Sequence, residues 1–175
     1  MILSCTLGLV IAAPANATVG DAASAGAKDR VLLVVSSHGL DDGKTRPGYE
    51  MDELSQAYVI FADNGLKVDI ASPSGGAVVA DRFNADKPYN SRFLGDADAA
   101  AKLASTRSLA SVANEQYAAV FVIGGKGAMF DLPVNVQLKT LLAETYQAGG
   151  VIGAVCHGPA VFMNLPMKNG SSLLD

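Results

Sequence analysis

The sequence predicts a doubly wound α/β fold, a flavodoxin-like three-layer sandwich with a mostly parallel sheet. Three observations predict it. Short runs rich in aliphatic and β-branched residues, at 31–35, 67–71, 118–123 and 151–155, have the character of strands covered on both faces. Segments with apolar residues three and four apart separate them. Gly, Pro and Ser punctuate most junctions, so strand and helix alternate as right-handed parallel crossovers require.

The elements justify themselves in order. Residues 1–17 carry no charge, and an apolar run from Ile2 to Ala13 precedes Pro14-Ala15-Asn16-Ala17. Ala15-x-Ala17 is a small-residue cleavage pattern, so 1–17 is expected to be a signal peptide, too short to anchor in a bilayer. Export to a periplasm or secretion is the expected localisation, with the cytoplasm as the alternative. Small, polar residues 18–30 are expected to form a linker, and residues 31–175 the α/β domain. Cleavage after Ala17 would remove Cys5 and leave Cys156 as the sole thiol.

Within the domain, residues 31–35 form the first strand, closed by Ser36-Ser37-His38-Gly39. Residues 49–64 read as a helix from the spacing of Met51, Leu54, Tyr58 and Phe61, with Gly65 as its stop. The second strand spans 67–71 and runs into Ser72-Pro73-Ser74-Gly75-Gly76. Residues 77–92 read as irregular, 97–104 as a small-residue helix and 108–112 as brief extended structure. The third strand, 118–123, ends in Gly124-Gly125-Lys126-Gly127. A helix over 134–147, with Leu138, Leu141, Leu142 and Tyr146 on one side, stops at Gly149-Gly150. The fourth strand, 151–155, ends in Cys156-His157-Gly158-Pro159.

That last junction reads as strand, sharp turn and helix N-terminus, the arrangement that exposes a nucleophile at the carboxyl end of a sheet. Backbone N–H groups and a helix dipole there would favour the thiolate of Cys156. In an open parallel sheet, ligands collect beyond the carboxyl ends of the strands. Three loops leave those ends with suggestive residues: His38, the glycine-rich 124–127, and Cys156-His157. The glycine-rich loop has neither dinucleotide nor P-loop spacing, and its use would be to bring backbone N–H donors to an oxyanion. Adjacent residues seldom face each other, so His157 could pair with Cys156 only if the turn folds both side chains to one side. His38 is a second candidate base. Glu50, Asp52 and Glu53 cluster at the start of the first helix, where either Glu50 or Glu53 could point inward.

Charge is sparse, with a net of −4, and no basic cluster marks a nucleic-acid surface. No long apolar span marks a membrane protein. Cys-His adjacency is not a zinc spacing, so no metal is expected.

Ala154-Val155-Cys156-His157-Gly158-Pro159 resembles the nucleophile elbow of the ThiJ/PfpI superfamily. Residues 48–58 are similar to its Gly-x4-Glu helix start, and residues 71–76 to its second strand and turn. Residues 117–133, with Asp131-Leu132-Pro133, are similar to its Gly-Gly-His-Gly segment, except that Lys126 stands in the His position. The branch it resembles most is the glyoxalase III and heat-shock chaperone group, class I glutamine amidotransferase-like. The resemblance implies Cys156 as nucleophile, His157 as its partner, and Glu53, five residues after Gly48, as the buried Glu. Backbone around Gly125 and His157 would form the oxyanion site. It also implies a homodimer, further core strands beyond Asp175, and an acid there that orients His157. The implied activity is cofactor-independent conversion of 2-oxoaldehydes such as methylglyoxal to hydroxy acids, in carbonyl-stress defence. The alternatives are a redox-responsive holdase chaperone and a cysteine amidase or peptidase.

Overall fold

The computed structural model describes residues 9–12, 28–41, 44–45, 47–81, 83–167 and 170–174. In chain order its elements are β1 (Leu9–Ala12), β2 (Arg30–Val34), the short strands β3 (Leu40–Asp41) and β4 (Lys44–Thr45), α1 (Met51–Asp63) and β5 (Lys67–Ser72). There follow α2 (Pro88–Gly95), α3 (Ala97–Ala104), β6 (Arg107–Ser108), α4 (Leu109–Val112), β7 (Ala119–Val122), α5 (Ala128–Asp131), α6 (Val136–Gln147), β8 (Val151–Val155) and a 3-10 turn, Gly158–Phe162.

Five strands form a parallel sheet in the order β8-β7-β2-β5-β6, and β1 extends it antiparallel beside β8. Alternation along β2 sends its side chains into two separate cores, as period 2 demands. Leu32 and Val34 pack with Val120, Val122, Ile152, Leu138, Leu142 and Phe162. Val31, Leu33 and Val35 pack with Ile70, Met51, Leu54, Tyr58 and Phe93. The sheet is therefore covered on both faces, which is the three-layer arrangement expected.

Helix α1 follows its apolar spacing and ends at Asp63 with Asn64 as its C-cap, and Gly65 supplies the left-handed residue at φ +78°. In α6, Asn135 caps the helix by accepting from the Leu138 N–H at 2.8 Å. Three expectations are corrected. Residues 88–95, inside and beyond the stretch read as irregular, form α2. Pro88 at its first turn is a start signal, but Phe93 is its one buried apolar side chain, so periodicity was invisible. Residues 109–112 are helical rather than extended, because the Ser108 side chain caps them by accepting from the Ser111 N–H. The turn after Cys156 continues as 3-10 rather than an α-helix.

At the amino end, Leu9–Ala12 lies within the run expected to be a leader. It pairs with β8 from Leu9 opposite Val155 to Ala12 opposite Ile152. Residues 1–8 and 13–27, including Cys5 and most of the expected linker, lie outside the described residues. Arg30, assigned to the linker by composition, is the first residue of β2, paired with Lys67 and bonded to Asp69 and Glu115. Among the described residues no helix is long and apolar enough to cross a membrane.

Candidate active site

The carboxyl ends of β2, β7 and β8 are neighbours in the sheet, so the loops that leave them converge. Cys156 stands at the end of β8 with φ +56°, a left-handed conformation that costs a non-glycine residue about 1–3 kcal/mol. The kink has a visible consequence. It turns Cys156 and His157 to the same side, with Sγ 3.1 Å from His157 Nδ1. Both residues are exposed at the turn although β8 itself is mostly buried.

Glu53 approaches from α1. It is 6% exposed, and its Oε2 accepts from the Gly124 N–H at 2.9 Å. The Cys156 thiol donates to the same carboxylate. No side chain fits at residue 124: an added Cβ would lie 2.8 Å from Glu53 Oε2, 2.8 Å from Cys156 Cβ and 2.7 Å from Val155 O. The glycine is what allows carboxylate and thiol to meet. The choice between the two glutamates is also decided here. Glu50 is half-buried and makes no bond to the thiol, while its N–H donates to Gly124 O at 3.2 Å.

Burial pushes the Cys156 thiol up, and the neighbouring Glu53 charge and hydrogen bond push it further. Backbone N–H groups of Gly125 and His157 bond the sulfur and act the other way. Burial likewise raises the Glu53 carboxyl, opposed by its bonds to Gly124 and Cys156. The expectation of a thiolate held by a helix dipole is thus corrected. The following turn is too short to carry a macrodipole, and a carboxylate sits against the sulfur. The Glu53 carboxylate therefore favours a proton on the thiol.

The glycine-rich loop divides its labour. Gly124 gives its N–H to Glu53, so it is no oxyanion donor. Gly125, at φ +92°, aims its N–H at Cys156. Lys126 donates its N–H to Asp81 Oδ2 at 3.3 Å, while Asp81 Oδ1 accepts from Gly48 N at 2.9 Å. Gly127 N donates to Gly48 O at 2.9 Å. Asp81 therefore clamps the loop to the turn that starts α1. His38 is not joined to the thiol: its Nδ1 lies 2.8 Å from Pro47 O and its ring stacks on Phe130 at 4.4 Å. Asp131, in α5, holds that loop by accepting from Ser36 Oγ, Ser37 N and His38 N. Sequence reasoning assigned no role to Asp81 or Asp131, because neither lies in a periodic segment or beside a nucleophile. Among the described residues no group of three or more His, Cys, Asp or Glu is arranged to hold a metal ion.

The strand–Cys–turn, the buried Glu and the glycine-rich loop all lie in the part of the chain that a family model matches. The model of the DJ-1/PfpI family matches residues 45–173. The chain belongs to the DJ-1/PfpI family. It is 30% identical over 153 residues to the glutathione-independent glyoxalase hsp3102 of Schizosaccharomyces pombe, covering 83% of this chain and 62% of that protein. It is 30% identical over 159 residues to the glutathione-independent glyoxalase HSP31 of Saccharomyces cerevisiae, covering 85% and 66%. The X-ray structure of the Rapid Encystment Protein 24 KDa of Francisella tularensis superposes with a TM-score of 0.75 at 31% identity, over 83% of this chain and 66% of that one. The chain thus spans less than two thirds of the length of these relatives. Membership accounts for the α/β sandwich with its mostly parallel sheet.

Proposed function

We propose that this protein converts small 2-oxoaldehydes to 2-hydroxy acids without glutathione, metal or organic cofactor, with Cys156 as nucleophile. One observation carries the reading: a single sulfur touches a carboxylate, an imidazole nitrogen 3.1 Å away and two backbone N–H groups. The names of the curated relatives, glutathione-independent glyoxalases, support the same reaction class.

The chemistry then balances internally. As Sγ bonds to the aldehyde carbon, C1, the thiol proton passes to Glu53, whose raised pKa suits it to a general base. The N–H groups of Gly125 and His157, already directed at the sulfur, hold the developing alkoxide. Glu53 returns the proton to that oxygen, which completes the hemithioacetal. His157 removes the C1 hydrogen as a proton, the C1 hydroxyl proton passes to the C2 oxygen, and Glu53 or His157 delivers a proton to C2, leaving a thioester with a C2 alcohol. Water then attacks C1, the C–S bond breaks, and the sulfur regains its proton. C1 is oxidised by two electrons and C2 reduced by two, so no outside oxidant is used.

Methylglyoxal supplied without glutathione is expected to yield lactate, measured enzymatically or by NMR, and Cys156→Ala to yield none. Wild-type protein that binds or is modified by methylglyoxal but releases no lactate would sink the catalytic reading.

A further inference from the structure

Resting on that reading, the geometry points to a narrower substrate class: Lys126 makes the Cys156 site selective for electrophiles that carry an anionic group, carboxylate or phosphate, near the reacting carbonyl. Among residues 124–128, Gly124, Gly125, Gly127 and Ala128 are buried and Lys126 alone is exposed. It directly follows Gly125, whose N–H bonds the nucleophilic sulfur. Consecutive α carbons lie about 3.8 Å apart, so the Lys126 root stands next to the donor that faces Sγ, within the length of an extended lysine side chain of a molecule bound there.

The root is rigid. Asp81 holds the Lys126 N–H, and Gly127 N bonds Gly48 O at 2.9 Å. A Cβ at Gly125 would lie 2.6 Å from Glu50 N and Gly48 O, so the loop is packed against the α1 turn without slack. The ammonium group, by contrast, is uncommitted, since Lys126 enters no ion pair among the described residues. The nearby Lys87 is bound to Asp52. The rest of the site is acidic, with Glu50 at the N-cap of α1, Glu53 in its first turn and Asp81 bonded to both loops, and would repel an anion unless a cation received it. A neutral oxoaldehyde gains nothing from such a cation. An anion about 7 Å away, in a partly solvated site, gains roughly five- to tenfold in rate.

Two thiol reagents of nearly the same size test this apart from turnover. Iodoacetate is anionic and iodoacetamide neutral, and alkylation of Cys156 by each is followed by mass spectrometry of its peptide. The ratio of the two rates cancels any change in the thiol itself. It is expected to fall about five- to tenfold in Lys126→Met, to hold within about twofold in Lys126→Arg, and to fall further in Lys126→Glu. The difference should shrink in ~1 M salt, where the screening length is about 3 Å. An unchanged ratio in Lys126→Met overturns the proposal. Turnover of phenylglyoxal against 4-carboxyphenylglyoxal reads the substrate half. Preference for the carboxylated aldehyde in wild type but not in Lys126→Met supports it, and equal preference in both removes it. Failure to turn over phenylglyoxal at all, with the alkylation ratio as expected, rejects the glyoxalase reading while leaving the anion selectivity standing.

Discussion

At the scale of single residues, the site is a contest over one proton. Glu53 and Cys156 are both pushed toward their neutral forms by burial, and each is the other's hydrogen-bond partner. Reactivity and catalysis should therefore separate in Glu53→Gln. Replacing the carboxylate with an amide removes the negative charge that holds the proton on sulfur and puts an N–H donor within reach of it, so the thiol pKa falls. Iodoacetamide should alkylate Cys156 faster in the variant at pH 7, and the pH midpoint of alkylation should move down. Lactate formation should nevertheless drop about 10²–10⁴-fold, because the proposed general base is gone. Slower alkylation in Glu53→Gln would mean that the carboxylate activates the thiol rather than restraining it. His157 owes its place to the backbone instead. Without the left-handed φ of Cys156, adjacent side chains would diverge, and the 3.1 Å contact would be lost.

At the scale of elements, the four buried strands were legible, and the short and edge strands and most loops were not. The four aliphatic runs became β2, β5, β7 and β8 because burial on both faces writes itself into composition. The elbow was legible because Cys-His-Gly-Pro follows such a run. Helix α2 was hidden because polar contacts hold it as much as packing does: Asn90 donates to Asn84 O at 2.8 Å and accepts from Ser55 Oγ at 2.6 Å. Which glutamate faces the thiol was settled by family resemblance rather than by spacing, since both Glu50 and Glu53 fit one helix face. Asp131 was silent for a similar reason. Its role exists only because β2 and α5 end side by side, a relation between residues some 94 apart in sequence. Its carboxylate satisfies three donors, of which Ser36 is fully buried. Asp131→Ala should cost about 1–3 kcal/mol in urea unfolding, the penalty for stranding buried donors. Asp131→Asn should cost less, because a flipped amide can accept from the two N–H groups and donate to Ser36. Equal losses in the two variants would show that the loop is held by packing on Leu132 and Phe130 instead.

At the scale of the whole molecule, the two ends of the sheet answer to pH in opposite directions. The amino end is fastened by Glu115, which accepts from Arg107, from Arg30 at 2.7 Å and from Tyr117 at 3.1 Å. These bonds link β2 and β6 to the segment that enters β7. The Arg107 bond above all, then Arg30 and Tyr117, pulls the Glu115 carboxyl from its ordinary 4.5 down to about 2. A carboxyl depressed in the folded state stabilises the fold above its ordinary pKa, and that contribution is lost as pH falls through the folded value. Glu115→Gln should therefore destabilise the protein at pH 7 by about 1–3 kcal/mol, or some 2–4 °C of melting temperature per kcal/mol. The deficit should close between pH 4.5 and about 2, where the wild-type carboxyl also becomes neutral. Glu53 has the reverse sign. Its carboxyl is raised, so its contribution is fully present below the ordinary pKa and is lost as pH rises through the folded one. Melting curves of the two Gln variants against wild type, from pH 2 to 8, read both ends at once. The Glu115 variant should converge on wild type at the acid end. The Glu53 variant should gain on wild type toward neutrality, because the active end of the sheet keeps a buried carboxylate at the expense of stability. Parallel curves for the two variants would mean that neither carboxyl is held away from its ordinary range, and the proton-sharing account of the site would fall with them.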